Sequence, residues 1–249
     1  MSTDLPAVVI AVTGMAFEAR IAARGGVRVV CGNGNAAALA EAVAHAIGDD
    51  CRGLISFGVA GGLSPQLQAG SCVVGSTILD GTSQFATDRD WSQNLLRAIP
   101  GAIHGGIAGV ADPIVHAEAK RALHASTGAV AVDMESHAVA RVAAARGLPM
   151  AAVRVVIDSA SSPLPSSALA AMRPDGTVDV VALIRALAKA PGEAPMLLRT
   201  ARDALTAGLS LRRCRRRLGA SFELPDSTEA RAPNFLPSSA AETDMRIPA

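Results

Sequence analysis

Aromatic residues are scarce in this 249-residue sequence, which contains five Phe, one Trp and no Tyr. Proteins that bind single-stranded nucleic acids rely on stacking of bases on aromatic rings, so this composition argues against such a partner. Hydrophobic residues nevertheless make up 50% of the chain. We therefore expect a globular protein with a sizeable core of Ala, Val, Leu and Ile, and no nucleic-acid partner.

Long apolar runs and paired cysteines are also lacking. No stretch reaches the roughly 18 to 20 apolar residues that cross a bilayer. Residues 1–6 lack the basic n-region with which a secretory signal peptide begins. These features predict a cytoplasmic protein. The cysteines form no CxxC pair and have no histidine at zinc-ligand spacing, so we expect no metal site and four reduced thiols at Cys31, Cys51, Cys72 and Cys214.

The net charge is only +1, but one segment is strongly basic. Five arginines follow one another closely at Arg212, Arg213, Arg215, Arg216 and Arg217. They end a segment, 195–217, in which leucines and alanines recur at helical spacing. The simplest interpretation is a terminal helix with cations at its C-terminus, where the helix dipole favours them. The alternative is contact with anionic lipid, which would place the protein at the inner face of the membrane.

Near-continuous Val and Ile runs alternate with helix-forming segments along most of the chain. This alternation predicts an α/β fold with a mainly parallel sheet that is covered by helices on both faces. Strands are predicted at 7–12, 27–31, 53–57, 72–78, 105–110, 130–132 and 151–157, and helices at 36–47, 91–98, 116–125 and 134–146.

The sequence changes character after residue 158. Residues 159–167 are rich in Ser and Pro, which predicts a loop facing the substrate, and helices are predicted at 178–189 and 195–217. Pro, Ser and acidic residues dominate from residue 221 onwards. We therefore predict a single domain over residues 1–220 and a disordered tail over residues 221–249.

Acidic residues or glycines follow four of the predicted strands, in the segments Gly14–Glu18, Gly58–Gly62, Asp133–Glu135 and at Asp158. Ligands of open parallel sheets bind beyond the carboxyl ends of the strands, so these segments could form one acid/base pocket. The glycine segment, which we interpret as a loop, lacks both the G-x-G-x-x-G spacing and the Walker lysine. This argues against dinucleotides and ATP as ligands.

Each acidic residue also has an ordinary structural interpretation. Glu18 could be a solvated residue in the first turn of a helix. Asp133 and Glu135 could cap a helix N-terminus, where negative charge is favourable. Asp158 could be a turn residue. The strand pattern by itself leaves these alternatives open.

Three short strings, in this order, resemble the nucleoside phosphorylase and nucleosidase superfamily. They are Ser56–Leu63 (SFGVAGGL), Val132–Ser136 (VDMES) and Val153–Asp158 (VRVVID). The Leu63–Pro65 continuation, the Pro-rich loop and Arg173–Gly176 look most like the branch of hopanoid-associated phosphorylases, whose proposed role is to remove adenine from adenosylhopane. The resemblance implies a three-layer αβα sandwich with a mainly parallel mixed sheet.

The resemblance also implies roles for individual residues. Asp158 would protonate the purine at N7 as general acid, Glu135 would accept hydrogen bonds from the ribose 2′ and 3′ hydroxyls, and Glu18 would orient the attacking water. Further substrate contacts are expected from Gly14, Met134, Val59, Ala60, Gly61, Pro113 and Ile114.

The implied function is cleavage of the N-ribosidic bond of an adenosine-type small molecule by a homo-oligomer, without metal or organic cofactor. Superfamily members that use phosphate carry a G-D-P-x-R turn after the first strand, whereas Glu18 stands in that region here and would repel phosphate. We therefore expect hydrolysis, with phosphate as a co-substrate only if the enzyme is a phosphorylase, where Arg20 and Arg154 could supply positive charge. Val59 and Ile157 occupy positions that are serines in methylthioadenosine enzymes, which favours a more apolar substrate.

Three alternatives to an adenosylhopane nucleosidase remain open from the sequence. The first is a purine nucleoside phosphorylase, and the second is a methylthioadenosine or futalosine hydrolase. The third belongs to a different class: a non-catalytic protein that binds adenosine without turning it over.

Overall fold

The computed structural model describes residues 8–24, 27–32, 36–162, 185, 188–189 and 191–225. These residues form an α/β fold, as the sequence predicts. The strands are β1 (Val8–Thr13), β2 (Arg28–Cys31), β3 (Cys51–Gly62), β4 (Cys72–Asp80), β5 (Ser83–Ala86), β6 (Ile103–Gly109), β7 (Ala131–Asp133) and β8 (Met150–Asp158). The α-helices are α1 (Ala16–Ala22), α2 (Ala36–Ala46), α3 (Arg89–Ala98), α4 (Ala117–Thr127), α5 (Ser136–Arg146) and α6 (Ala194–Arg217), and a 3₁₀ turn at Pro191–Glu193 precedes α6.

Five strands of the sheet close into a ring. β3 pairs with β8, β8 with β4, β4 with β6 and β6 with β7, and β7 returns to the end of β3. β1 and β2 extend the sheet from β3, and β5 extends it from β4. Parallel pairings outnumber antiparallel ones, which confirms the mainly parallel mixed sheet. The ring closure is an addition that the sequence analysis does not predict.

The glycine segment Gly58–Gly62 is part of strand β3, so its interpretation as a loop is wrong. Gly58 pairs with Arg154 of the neighbouring β8. A Cβ on Gly58 would lie 2.5 Å from Glu18 Oε1 and 2.7 Å from Arg154 Nη1, so only glycine leaves room for these side chains. The missing side chains therefore allow charged groups to approach the strand, rather than allowing the chain to turn.

Both faces of the sheet are packed, and alternate residues of β3 face opposite helix layers. Phe57 and Val59 belong to a buried cluster with residues of α1, α3 and α6. Leu54 and Ala60 belong to a second cluster with residues of α2 and α5. The side chains of Val59 and Ala60 are therefore parts of the core.

The segment that follows α6 packs back onto the body. Phe222 is fully buried, its ring contacts Phe57 edge-on at 5.4 Å between centroids, and its carbonyl accepts a 2.7 Å hydrogen bond from Trp91 Nε1. The predicted start of the tail at residue 221 is therefore wrong, because Phe222 anchors residues 221–225 to the core. Residues 226–249 lie outside the described part of the chain.

Other predictions for the C-terminal third are tested only in part. The loop at 159–167 is described as far as residue 162, and Arg173–Gly176 and most of the predicted helix at 178–189 lie outside the described residues. The predicted helix at 195–217 is confirmed as α6. Within the described ranges, none of the helices has the combination of length and apolar sequence that crossing a bilayer requires. None of the four cysteines, all of which lie in the described ranges, forms a disulfide.

Candidate active site

A buried arginine on β8 organises the first group of site residues. Arg154 is inaccessible to solvent, and its Nε lies 2.6 Å from Asp133 Oδ2 in an ion pair whose angle does not suit a hydrogen bond. Its Nη2 lies 3.3 Å from Glu135 Oε2 and donates to Ser56 Oγ at 2.6 Å, and its Nη1 donates to the Val59 carbonyl at 3.3 Å. The surrounding carboxylates keep this buried guanidinium charged.

Glu18 lies in the first turn of α1, yet it is only 1% exposed. Its Oε2 accepts hydrogen bonds from the backbone N–H groups of Gly14 and Met15, at 2.9 and 2.8 Å, and its Oε1 accepts one from Val59 N–H at 2.7 Å. Burial raises the pKa of Glu18, while Arg154 and the three N–H groups oppose the rise. The interpretation of Glu18 as a solvated residue is therefore wrong: its carboxyl group connects the β1–α1 turn to β3.

Glu135 directly precedes α5, but its side chain makes no capping hydrogen bond. The carboxyl group instead faces Arg154 and lies against the backbone of Gly14, where a Cβ would be 2.2 Å from Glu135 Oε1. Burial raises the pKa of Glu135 to about 7, with Arg154 opposing the rise and the carboxylates of Asp133 and Glu18 adding to it. Glu135 is therefore a hydrogen-bond acceptor whose charge changes near neutral pH.

Asp133, by contrast, has the capping role. Its Oδ1 accepts a 3.1 Å hydrogen bond from Ser136 N–H, and its Oδ2 accepts one from the Ser136 hydroxyl. Together with the ion pair to Arg154, these contacts fix the start of α5. The capping interpretation is thus confirmed for Asp133 and wrong for Glu135.

A second buried cation holds Asp158 at the end of β8. The ammonium group of Lys120, from α4, is inaccessible to solvent and donates to Asp158 Oδ2 and to the Ser159 carbonyl, the latter at 3.2 Å. Burial raises the pKa of Asp158, and the Lys120 charge opposes that rise. A carboxyl group in a buried ion pair is not an ordinary turn residue.

Asp158 also borders a cleft between the end of β8 and the N-terminal half of α6. The pairing partner of Asp158 on β3 is Gly61, where a Cβ would lie 3.5 Å from Asp158 Oδ1, so the carboxyl group rests on the strand. The cleft is lined, besides Asp158, by Ile157, Ser162, Met196, Arg199, Thr200 and Asp203.

The predicted site residues therefore form two groups. Glu18 and Glu135 face Arg154, whereas Asp158 lies four residues further along β8, about 13 Å away at the usual rise of a strand. Because Gly58 of β3 pairs with Arg154 and Gly61 pairs with Asp158, both groups lie beside the same two neighbouring strands, β3 and β8. A ligand that contacts both groups would extend along β3.

The remaining predicted contacts differ in position. Gly14 touches Glu135, and Val59 contributes its backbone N–H and carbonyl. Met134 is half-buried between Asp133 and Glu135 in sequence. Ile114 packs on a small apolar cluster that includes Val132, next to Gly61, while Pro113 is exposed.

Within the part of the chain that the structure describes, no group of three or more His, Cys, Asp or Glu side chains is arranged to hold a metal ion. The carboxylates of Asp133, Glu135 and Glu18 all interact with Arg154.

A family model for the phosphorylase superfamily matches residues 6–189. The chain belongs to the phosphorylase superfamily. Among solved structures, this superfamily member is similar to the methylthioadenosine/S-adenosylhomocysteine nucleosidase of Helicobacter pylori, at 15% identity and a TM-score of 0.57 over 85% of this chain and 98% of that one. The corresponding nucleosidase of S. pneumoniae matches at 16% identity and a TM-score of 0.54, over 81% and 98% of the two chains.

The futalosine hydrolase of Helicobacter pylori is also similar, at 15% identity and a TM-score of 0.50 over 61% of this chain and 88% of that one. At these identities the likeness concerns the fold. No significant match was found among curated proteins.

Sequence reasoning missed one charged residue of this superfamily member's site and undervalued another. Lys120 lies in α4, whose sequence AEAKRALHAST is typical of an exposed helix, so nothing local indicates that it is buried. For Arg154, the sequence indicates only a source of positive charge for phosphate. Its position in the middle of a strand of Val and Ile was the available signal, because a charge there requires buried partners.

Proposed function

We propose that this superfamily member hydrolyses the N-ribosidic bond of an adenosine-type substrate, and that its preferred reaction converts adenosylhopane and water to ribosylhopane and adenine. The observation that carries the proposal is the different environment of each of three buried carboxyl groups. Glu18 is held by backbone N–H groups, Glu135 by an arginine and Asp158 by a lysine. Departure of a purine from ribose requires three distinct functions, which these environments match.

Asp158 is the general acid of the proposed reaction. The departing adenine gains negative charge, and a proton at N7 neutralises it. Burial favours the protonated form of Asp158, so the carboxyl group can carry a proton closer to neutral pH than a solvated aspartate. After transfer, the ammonium group of Lys120 stabilises the carboxylate that is left behind.

Glu135 binds the ribose in the proposed complex. In its carboxylate form it can accept hydrogen bonds from both ribose hydroxyls, because one oxygen faces Arg154 and both oxygens retain free acceptor positions. The absence of a Cβ on Gly14 leaves that carboxyl group room beside the turn. Positioning of the sugar in this way fixes the anomeric carbon relative to the nucleophile.

Glu18 orients the attacking water. A carboxylate has about four acceptor positions, and backbone N–H groups fill two on Oε2 and one on Oε1. In the proposed complex, the remaining acceptor position on Oε1 binds the attacking water. Because three N–H groups hold the side chain, the water would be fixed in direction, which is what an attack on the sugar requires.

Water is favoured over phosphate by the charges around this turn. A phosphate dianion needs cationic or backbone donors, but Arg20 is exposed on α1 and Arg154 is already surrounded by carboxylates. The buried Glu18 would also repel the dianion. The solved relatives described above are nucleosidases and a hydrolase, which supports the same conclusion.

An apolar substituent on the substrate is supported by the surroundings of Asp158. Ile157 and Met196 line the adjoining cleft and supply apolar side chains there. The side chain of Val59 packs in the core, so only its backbone can face a ligand. These features fit a hydrocarbon-bearing nucleoside better than a small polar one.

The test is a comparison of adenine release from adenosine, methylthioadenosine and adenosylhopane, with and without inorganic phosphate. We expect the highest kcat/KM with adenosylhopane, free ribosylhopane as product and no dependence on phosphate. A ribosyl phosphate product would indicate a phosphorylase, and a preference for methylthioadenosine would overturn the substrate assignment. Binding of adenosine compounds without any adenine release would indicate a non-catalytic binding protein.

Loss of the general acid should be visible in the same assay. Asp158→Asn is expected to lower kcat by at least about 100-fold, because an amide cannot donate the proton to N7. Asp49→Asn, which changes an exposed aspartate, should leave kcat unchanged. A near-normal rate in Asp158→Asn with an intact fold would contradict the assignment.

A further inference from the structure

One face of α6 exposes large hydrophobic side chains to solvent. Leu198, Leu205 and Leu209 are 73%, 70% and 60% exposed. Their spacings of seven and four residues place them on the same side of the helix, because seven residues make about two turns and four make about one. The opposite side of α6 packs on the body through Ala207, Leu211 and Cys214.

Exposed arginines continue this leucine face toward the C-terminus of α6. Arg216 lies seven residues after Leu209 and therefore on the same line, with the exposed Arg212 and Arg213 to either side of it. The only acidic residue of α6, Asp203, lines the cleft on another side of the helix. The exposed Arg202 lies on the same side, three residues before Leu205. The outward face therefore combines leucines with cations, and the cations are most concentrated over its last turns.

Arg215 is an exception among the five arginines of this segment and corrects the sequence-based expectation for it. It is buried, its guanidinium donates to the carbonyls of Ala22 and Leu218 at 3.0 and 2.8 Å, and it stacks 4.3 Å above the Phe222 ring. Arg215 therefore anchors α6 to the body. The other four arginines remain free to meet an external partner.

We propose that the face of α6 formed by Leu198, Leu205, Leu209, Arg212, Arg213 and Arg216 docks on an anionic lipid surface. An amphipathic helix binds such a surface by burying its apolar side chains at the level of the headgroups while its cations contact anionic lipids. Each arginine near an anionic surface contributes to that attraction. The contact does not depend on which reaction the site catalyses.

The charges on this face of α6 favour anionic lipid, rather than a second copy of the chain, as its binding partner. The arginines at the end of the face need anionic partners, and α6 offers no carboxylate on that side. A lipid headgroup layer supplies many anions at any position, whereas the body of this protein is nearly neutral. Docking through this face would also hold the cleft at Asp158, which borders α6, close to the bilayer.

The experiment is co-sedimentation of the full-length protein with vesicles of phosphatidylcholine, with and without phosphatidylglycerol. We expect binding only to the vesicles that contain phosphatidylglycerol, and weaker binding at high salt. The double variant Arg212→Gln/Arg216→Gln should lower the partition coefficient by about tenfold or more. Leu205→Ser/Leu209→Ser should lower it by a similar factor, because serine cannot supply apolar contact.

A matched control removes the same charge from another part of the surface. Arg89 and Arg121 are exposed on other helices, so Arg89→Gln/Arg121→Gln should leave vesicle binding almost unchanged. An equal loss in both arginine pairs would overturn the proposal, since it would show attraction to the net charge alone. Unchanged vesicle binding of the leucine variant, with a smaller assembly in sedimentation velocity, would identify the face as an interface between copies and would also overturn it.

Discussion

Two buried cations, Arg154 and Lys120, determine what the carboxyl groups of the site can do. Arg154 faces Glu135 and Asp133, while Lys120 holds Asp158. The two cations divide the acidic residues into a group at Arg154, for which we propose sugar binding, and Asp158 at Lys120, for which we propose proton donation. Replacement of Arg154 should therefore change the kinetics in a different way from replacement of Lys120.

Replacement of Lys120 should alter the pH dependence of catalysis. Lys120 lowers the pKa of Asp158, and a general acid loses activity as the pH rises above its pKa. Lys120→Met should therefore move the alkaline limb of the kcat/KM profile to higher pH. Lys189→Met, which changes the chain's exposed second lysine, is the control. A uniform loss of activity at every pH would show that Lys120 is only structural.

Glu135 should set the acid limb of the same profile. With a pKa raised to about 7 by burial, its carboxyl group is protonated as the pH falls below that value and loses acceptor positions for the ribose hydroxyls. We expect KM for adenosine substrates to rise below about pH 7 in the wild type. Glu135→Gln should have a high KM at every pH.

A substrate analogue tests whether this effect involves the ribose. 2′,3′-Dideoxyadenosine lacks both hydroxyls, so protonation of Glu135 should not raise its KM as the pH falls. The same acid limb with the dideoxy analogue would mean that Glu135 does not bind those groups.

At the level of secondary-structure elements, the turn between β1 and α1 determines how much room the Glu135 carboxyl group has. A Cβ at Gly14 would lie 2.2 Å from Glu135 Oε1, a distance that the carboxyl group can relieve only by moving. Gly14→Ala should therefore raise KM by about 10- to 100-fold through loss of hydrogen bonds to a charged group. Gly208→Ala is the control, because nothing lies within 4 Å of a Cβ there. An unchanged KM in Gly14→Ala would contradict the placement of the sugar.

The segment after α6 should contribute to stability despite its composition. Phe222 is fully buried against Phe57, and Phe222→Ala is expected to lower the free energy of unfolding by about 3–5 kcal/mol. Urea denaturation measures this change. Leu209→Ala, at an exposed position of α6, should change stability by less than about 0.5 kcal/mol. A chain ending at residue 220 that is as stable as the full chain would refute the role of Phe222.

For the whole molecule, local sequence patterns predict most of the strands but not their closure into a five-stranded ring. The Val and Ile runs of β1, β4 and β8 are recognisable, whereas β5 (SQFA) has no apolar run and was not predicted. The closed ring depends on antiparallel pairing of β8 with β4, between residues about 80 positions apart, and no local pattern encodes such a contact.

The site could be predicted to a similar degree. Glu18, Glu135 and Asp158 are candidates because each follows a strand, and the rules for parallel sheets place such residues at one edge. The resemblance to the superfamily, not the strand pattern, gives them roles. Their division between Arg154 and Lys120 could not be predicted, since it depends on how α4 and β8 pack in three dimensions. The burial of Glu18 likewise involves the backbone N–H group of Val59 on a distant strand, a contact that no side-chain pattern records.

The ring of strands also limits how the protein can associate through its backbone. Ring strands have neighbours on both sides, so in the described part of the chain the sheet ends only at β2 and β5, each four residues long. Short end strands offer few unpaired N–H and C=O groups to another polypeptide. Such a molecule should resist strand-by-strand polymerisation, even though its apolar content is high.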